Sequence, residues 1–227
     1  MSTALAARGV CAGYGDVTVI RDLDLHVDSG EVVGLLGRNG AGKTTSLLTL
    51  SGTLRPTAGV VDFLGRPDRS SLQGRARRGL GLMTDDRSVF FGLTVRDNLR
   101  LARGREDPLK LFPELGRLLD RPAGLISGGE QQMLGLATVL IRQPKVLLID
   151  ELSLGLAPVI VKRLLEAVRA AADQGTAVLL VEQSVRLTVG IADRAYILLN
   201  GRIVSEVAAN ELRENVAEIE RSYLATA

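Results

Sequence analysis

Five short apolar runs, Val32 to Leu36, Gly79 to Met83, Val146 to Ile149, Ala177 to Val181 and Ala195 to Leu199, scarcely alternate with polar residues. A strand that is apolar on both faces must be covered on both faces, so these runs predict buried strands of a largely parallel sheet. Between several of them the apolar spacing shifts to the helical period, over Lys43 to Leu50, Gly129 to Ile141 and Val159 to Ala172. Strand-helix alternation of this kind predicts an α/β fold with helices on both faces of the sheet. The first thirty residues differ: short alternating pieces at Leu5 to Val10 and Val17 to Val27, ended by Ser29-Gly30, predict antiparallel strands, with Gly59 to Leu64 joining them.

Residues from about Asp86 to Ile126 interrupt the alternation. Two helix-like segments, Val95 to Arg103 and Leu109 to Leu119, are set off by Pro108, Pro113 and Pro122, which cannot continue a helix. They predict a small helical lobe inserted into the sheet domain, spanning about 86–142 once the helix that follows is included. Asn200-Gly201 between two apolar stretches predicts a hairpin, and Glu211 to Leu224 a closing helix. No repeat or linker divides the 227 residues, so one domain over 1–227 is expected.

Composition narrows the function classes. With 28 basic and 26 acidic residues the net charge is only +2, and without a concentrated basic tract nucleic acid is not expected as a partner. Cys11 alone cannot form an intramolecular disulfide and suits a reducing compartment. The N-terminus lacks the apolar core of a signal peptide, and no uncharged apolar run approaches the roughly 20 residues that cross a bilayer. A soluble, cytoplasmic chain is therefore expected, one that reaches a membrane only through a partner.

Three motifs carry chemistry. Gly37-Arg38-Asn39-Gly40-Ala41-Gly42-Lys43-Thr44-Thr45 follows a predicted strand and opens a predicted helix, the context of a Walker A loop. Its glycines let backbone N–H groups face the phosphates of ATP, Lys43 neutralises them, and Thr44 ligates Mg2+. Val146 to Glu151 is a buried strand with two acids at its carboxyl end, where open α/β sheets bind ligands. Asp150 is expected in the Mg2+ shell and Glu151 at the attacking water; alone, such acids are often helix caps, and the Walker A loop moves the balance to catalysis. In Ser127-Gly128-Gly129-Glu130-Gln131, Ser127 caps a helix, Glu130 takes the capping-box position, and the glycines leave the first N–H groups bare. A bare helix start is a second anion site in a chain that already has one.

The order of Walker A, Ile126 to Gln132 and the Asp150-Glu151 strand end resembles the ATP-binding cassette family over nearly the whole chain. The resemblance implies a P-loop NTPase fold of that type and explains the duplication: two cassettes pack head-to-tail, Ser127, Gly128, Gly129, Glu130 and Gln131 form the signature offered to the ATP of the opposite subunit, and Ser127 and Gly129 contact its γ-phosphate. It also makes Tyr14 an aromatic platform on which adenine stacks, with a core or strand-surface tyrosine as the alternative. Leu152 to Pro158, Val181 to Ser184 and Leu111 to Leu115 resemble the ATPase subunits of branched-chain amino-acid importers that pair with a second, distinct ATPase. That implies transmembrane permease subunits, an extracytoplasmic solute-binding protein served indirectly, and a peripheral place on the cytoplasmic face of the membrane. Urea and amide importers share many of these segments.

The chain departs from the family pattern at three places. Gln183 stands where histidine usually senses the γ-phosphate, and glutamine keeps a donor but no positive charge. Asp85 takes the position of a glutamine or glutamate near Mg2+ and the attacking water, unless it and Asp86 merely cap a turn. Leu152 replaces the proline that usually follows the catalytic glutamate. These departures keep open a regulatory subunit with weak hydrolysis, and a non-transport ATPase is a further class. Phe90-Phe91-Gly92-Leu93 reads either as a socket for a permease helix or as the lobe's own core.

Overall fold

The computed structural model describes residues 2–84 and 88–224. The chain runs β1 (Thr3–Tyr14), β2 (Val17–Asp28), β3 (Val32–Leu36), α1 (Lys43–Ser51), β4 (Ala58–Phe63), β5 (Arg66–Pro67), α2 (Leu72–Arg77) and β6 (Leu80–Met83). The lobe follows, with α3 (Val95–Leu101), α4 (Pro108–Leu111), 3-10 turns at Pro113–Leu118 and Ala123–Leu125, and α5 (Gly128–Leu140). The remainder is β7 (Val146–Asp150), α6 (Pro158–Asp173), β8 (Ala177–Glu182), α7 (Val185–Val189), β9 (Arg194–Leu199), β10 (Arg202–Ala208), α8 (Ala209–Glu214) and α9 (Val216–Leu224).

Six strands form one sheet in the order β10-β9-β3-β8-β7-β6, parallel throughout except for the β9–β10 hairpin. Strands β3, β7 and β8 are wholly buried, which is why their sequences do not alternate. A second sheet, β2-β1-β4-β5, is antiparallel, as the first thirty residues predict. One face of the large sheet packs Leu147, Ile149, Val178 and Leu180 against α5 and α6. The opposite face packs Val33, Leu35, Leu148 and Leu179 against Leu47 and Leu50 of α1, and against Leu23 and Leu25 of the antiparallel sheet. Helices on both faces were expected; the second face is instead shared between α1 and a sheet, whose period-two pattern supplies the matching apolar side.

Two predicted helices are each broken. The segment Leu109 to Leu119 splits at Phe112 and Pro113: the Phe112 backbone leaves the helical region (φ −133°, ψ 84°), and its ring is fully buried in the lobe. The closing helix starts earlier, at Ala209, and breaks at Asn215, a residue whose side chain competes for backbone partners. Phe90, Phe91 and Leu93 are exposed, as is Leu125, while Val95, Leu99, Phe112, Leu115 and Leu118 fill the lobe's interior. The aromatic pair therefore forms surface, not core.

Candidate functional site

The phosphate loop begins where β3 delivers the chain to Gly37 between two neighbouring strands. A β-carbon at Gly37 would lie 2.6 Å from the Leu198 carbonyl oxygen, so only glycine fits. Gly42 ends the loop at φ +104°, a conformation that glycine adopts without strain, and α1 starts there with no side-chain cap and no acid in its first turn. Arg38, Asn39 and Gly40 are exposed, whereas Ala41 N donates to Arg38 O (3.1 Å) and Ala41 O accepts from Gly201 N (2.9 Å), tying the loop to the β9–β10 hairpin. Thr44 is exposed and Thr45 buried beneath it. Lys43 is 5% exposed, and its Nζ donates to Arg38 O at 3.2 Å. Burial holds this ammonium below its usual pKa, against the opposing pull of Glu151 and Asp150. An uncapped helix start with an inward ammonium is an anion site.

The acidic edge faces that loop. Asp150 ends β7 between β6 and β8, and its Oδ2 accepts from Thr44 Oγ1 at 3.0 Å. Glu151 has φ +46°, uncommon for a residue with a side chain. Its Oε1 accepts from Gln183 Nε2 at 2.7 Å and lies 3.7 Å from Lys43 Nζ. The Thr44 hydroxyl beside the Asp150 carboxylate is a pair of hard oxygen donors, which fits Mg2+. No group of three His, Cys, Asp or Glu that could cage a metal occurs among the described residues.

The second anion site opens α5. Ser127 Oγ accepts from Glu130 N at 3.3 Å, and the Glu130 carboxylate accepts from Ser127 N at 2.8 Å, completing the capping box. Burial pushes the Glu130 carboxyl up, but the Ser127 amide and hydroxyl, with Arg117, outweigh it and hold it below the usual range. Ser127 is exposed and Gly128 and Gly129 half-buried, and a β-carbon on Gly129 would crowd Ile160 of α6 at 3.1 Å. Gln131 is the exception in this stretch: its side chain turns inward and donates to Ala123 O at 2.9 Å, so it braces the lobe.

The structure therefore brings together 37–45, Asp150, Glu151 and Gln183. Tyr14 is half-exposed at the end of β1 beside exposed Val17. His26 is exposed, with Nδ1 3.2 Å from the Tyr196 hydroxyl. Asp85 lies outside the described residues. Leu152, in place of proline, is fully buried, and its carbonyl accepts from Gln132 Nε2 at 3.4 Å. Sequence reasoning passed over Ser153 and Glu182 as residues with work of their own. The signal available was an acid closing an otherwise apolar buried strand.

The ABC transporter family model matches residues 20–153. The chain is 37% identical over 226 residues to the high-affinity branched-chain amino acid transport ATP-binding protein BraG of Pseudomonas aeruginosa, covering 93% of this chain and 95% of that one. It is also 35% identical over 237 residues to the lipopolysaccharide export system ATP-binding protein LptB of Escherichia coli K12, covering 97% and 96%. Among solved structures, an ATP-binding subunit of an ABC transporter superposes with a TM-score of 0.84 at 25% identity, covering 98% of this chain and all of that one. With a Walker A loop, an acidic strand end and a capped glycine helix start on one cassette-type fold, this chain belongs to the ABC transporter family as an ATPase subunit.

Proposed function

We propose that the chain, as a single cassette domain, hydrolyses ATP to drive uptake of branched-chain or similar amino acids through a membrane permease. The carrying observation is Glu151 at the mouth of the phosphate loop, its carboxylate held between Gln183 and Lys43. Lys43 and the backbone amides of 37–45 bind and orient the phosphates, Tyr14 stacks on the adenine, and Thr44 and Asp150 would hold Mg2+, with Asp85 as the further acid expected there. Mg2+, when bound, neutralises charge developing on the phosphate oxygens. Glu151 accepts the proton of the attacking water, and Gln183 fixes the carboxylate and offers an N–H to a phosphate oxygen.

Ser127 and Gly129 face outward for the ATP of a second cassette subunit packed head-to-tail, with Glu130 shaping that helix start. A distinct ATPase is favoured as the partner over a second copy. The pair sits peripherally on the cytoplasmic face, under the permease, and serves an extracytoplasmic solute-binding protein indirectly. No helix among the described residues is long and apolar enough to cross a membrane. The similarity to BraG supports amino acids as cargo. The similarity to LptB supports a second reading, an ATPase that powers export.

Deleting the gene and measuring uptake of radiolabelled leucine, isoleucine and valine tests the import reading. Uptake should fall and return with the wild-type gene but not with Lys43→Ala. Unchanged uptake with impaired lipopolysaccharide export would select the second reading.

A further inference from the structure

Three consecutive residues at the end of β8 grip the turn that leaves β7. Val181 O accepts from Glu151 N at 3.0 Å, Glu182 Oε2 accepts from Ser153 Oγ at 3.1 Å, and Gln183 Nε2 donates to Glu151 Oε1 at 2.7 Å. Glu182 is the central point of this clasp and the least expected. It is 3% exposed, its backbone pairs with Leu36 at the entry to the phosphate loop, and its Oε1 has no hydrogen-bond partner among the described residues. A carboxyl group buried with one oxygen unpaired costs stability that an apolar residue of similar size would avoid. Burial pushes its pKa up to about 7, against the opposing pull of the Ser153 hydroxyl and the backbone amides of Gln183 and Ser153.

The turn that it holds needs holding. Glu151 stands at φ +46°, and the following residue, Leu152, leaves its own φ unconstrained where proline would fix it. Leu152 anchors the turn by burial, and Ser153 is the next polar contact along the chain.

We propose that Glu182 is a positioning residue for ATP hydrolysis: it anchors Ser153 so that the turn carrying Glu151 stays against the end of β8, where Gln183 holds the Glu151 carboxylate. The inference rests on the reading of Glu151 as the residue that activates water. A misplacement on the order of 1 Å at such a group costs about a hundredfold in rate.

The test uses full-length chain and its ATPase partner, with kcat, KM, ATP affinity and thermal midpoint measured for each variant. Glu182→Ala should lower kcat by about tenfold to a hundredfold, with ATP affinity kept within about threefold. Glu182→Gln, which retains an acceptor for Ser153, should restore most of that rate. Ser153→Ala should lower kcat, and the double variant Glu182→Ala/Ser153→Ala should be no slower than Glu182→Ala alone. The proposal is overturned if Glu182→Gln is as slow as Glu182→Ala, if the two single effects multiply in the double variant, or if rate, ATP affinity and thermal midpoint fall together. Glu151→Gln in the same preparation separates the two readings: full turnover there removes the catalytic assignment itself, whatever the Glu182 variants do.

Discussion

Gln183 Nε2 donates a 2.7 Å hydrogen bond to Glu151 Oε1, the carboxylate oxygen that also lies 3.7 Å from Lys43 Nζ. One oxygen thus serves two groups that a phosphate can also engage. A glutamine at this place is a competent orienting group, because its amide donates in a fixed direction without a titration step.

Glu151→Gln keeps an acceptor for Gln183 and removes the charge needed to take a proton. Hydrolysis should fall by about a hundredfold or more, with ATP binding preserved and a closed pair accumulating. Phosphate release, together with size-exclusion chromatography in ATP, checks this; unchanged turnover in the presence of the partner subunits would remove Glu151 from catalysis.

Lys43→Ala deletes a buried ammonium that neighbours Glu151 and Asp150. Affinity for ATP should weaken about thirtyfold or more, the usual consequence of truncating one member of a buried charged contact. Equilibrium binding of a fluorescent ATP analogue reads it directly, and affinity equal to wild type would count against the assigned phosphate loop.

Ser127→Ala should separate local stability from partner function. Loss of the cap costs about 1 kcal/mol, visible in urea unfolding. The variant chain's own ATP binding should not change, while turnover in the assembled pair drops. Loss of ATP binding by the isolated chain would place Ser127 in its own site instead.

Glu182 gives the chain a pH-dependent stability. Its folded pKa of about 7 lies above the ordinary 4.5, so the native state holds the proton more tightly than the unfolded chain. The stabilisation is full below pH 4.5 and is lost as pH rises through about 7, on the order of 3 kcal/mol in all. Glu182→Gln does not titrate. Urea unfolding of both proteins in metal-free buffer at pH 5 and pH 8 should therefore show wild type losing stability relative to the variant; an equal difference at both pH values would refute the assignment.

The large sheet was legible because β3, β7 and β8 are buried on both faces and write that fact as unbroken apolar runs. The phosphate loop was equally plain, since its glycines, Lys43 and Thr44 lie within one short stretch between a strand and a helix. What escaped was set by distance along the chain. The bond between Ser153 and Glu182 joins residues 29 positions apart, and nothing local in either segment announces the other. Gln131 is a different case: the resemblance puts it with the residues offered to the partner's ATP, and only the fold shows its side chain donating to Ala123 O. The breaks at Phe112 and Asn215 were hidden because helical spacing continues across both, and only burial of the Phe112 ring and the local backbone of Asn215 select the interruption.

Phe90, Phe91, Leu93 and Leu125 stand out from the lobe, with Asn98 fixing the backbone of Phe90 from beneath through bonds to its N–H and carbonyl. A subunit built this way carries its own record of whether it has been assembled. Left uncovered, an exposed aromatic patch is the kind of surface that chaperones hold and proteases inspect. Were a partner to cover the patch, the persistence of the chain in a cell would follow the supply of that partner as well as its own synthesis.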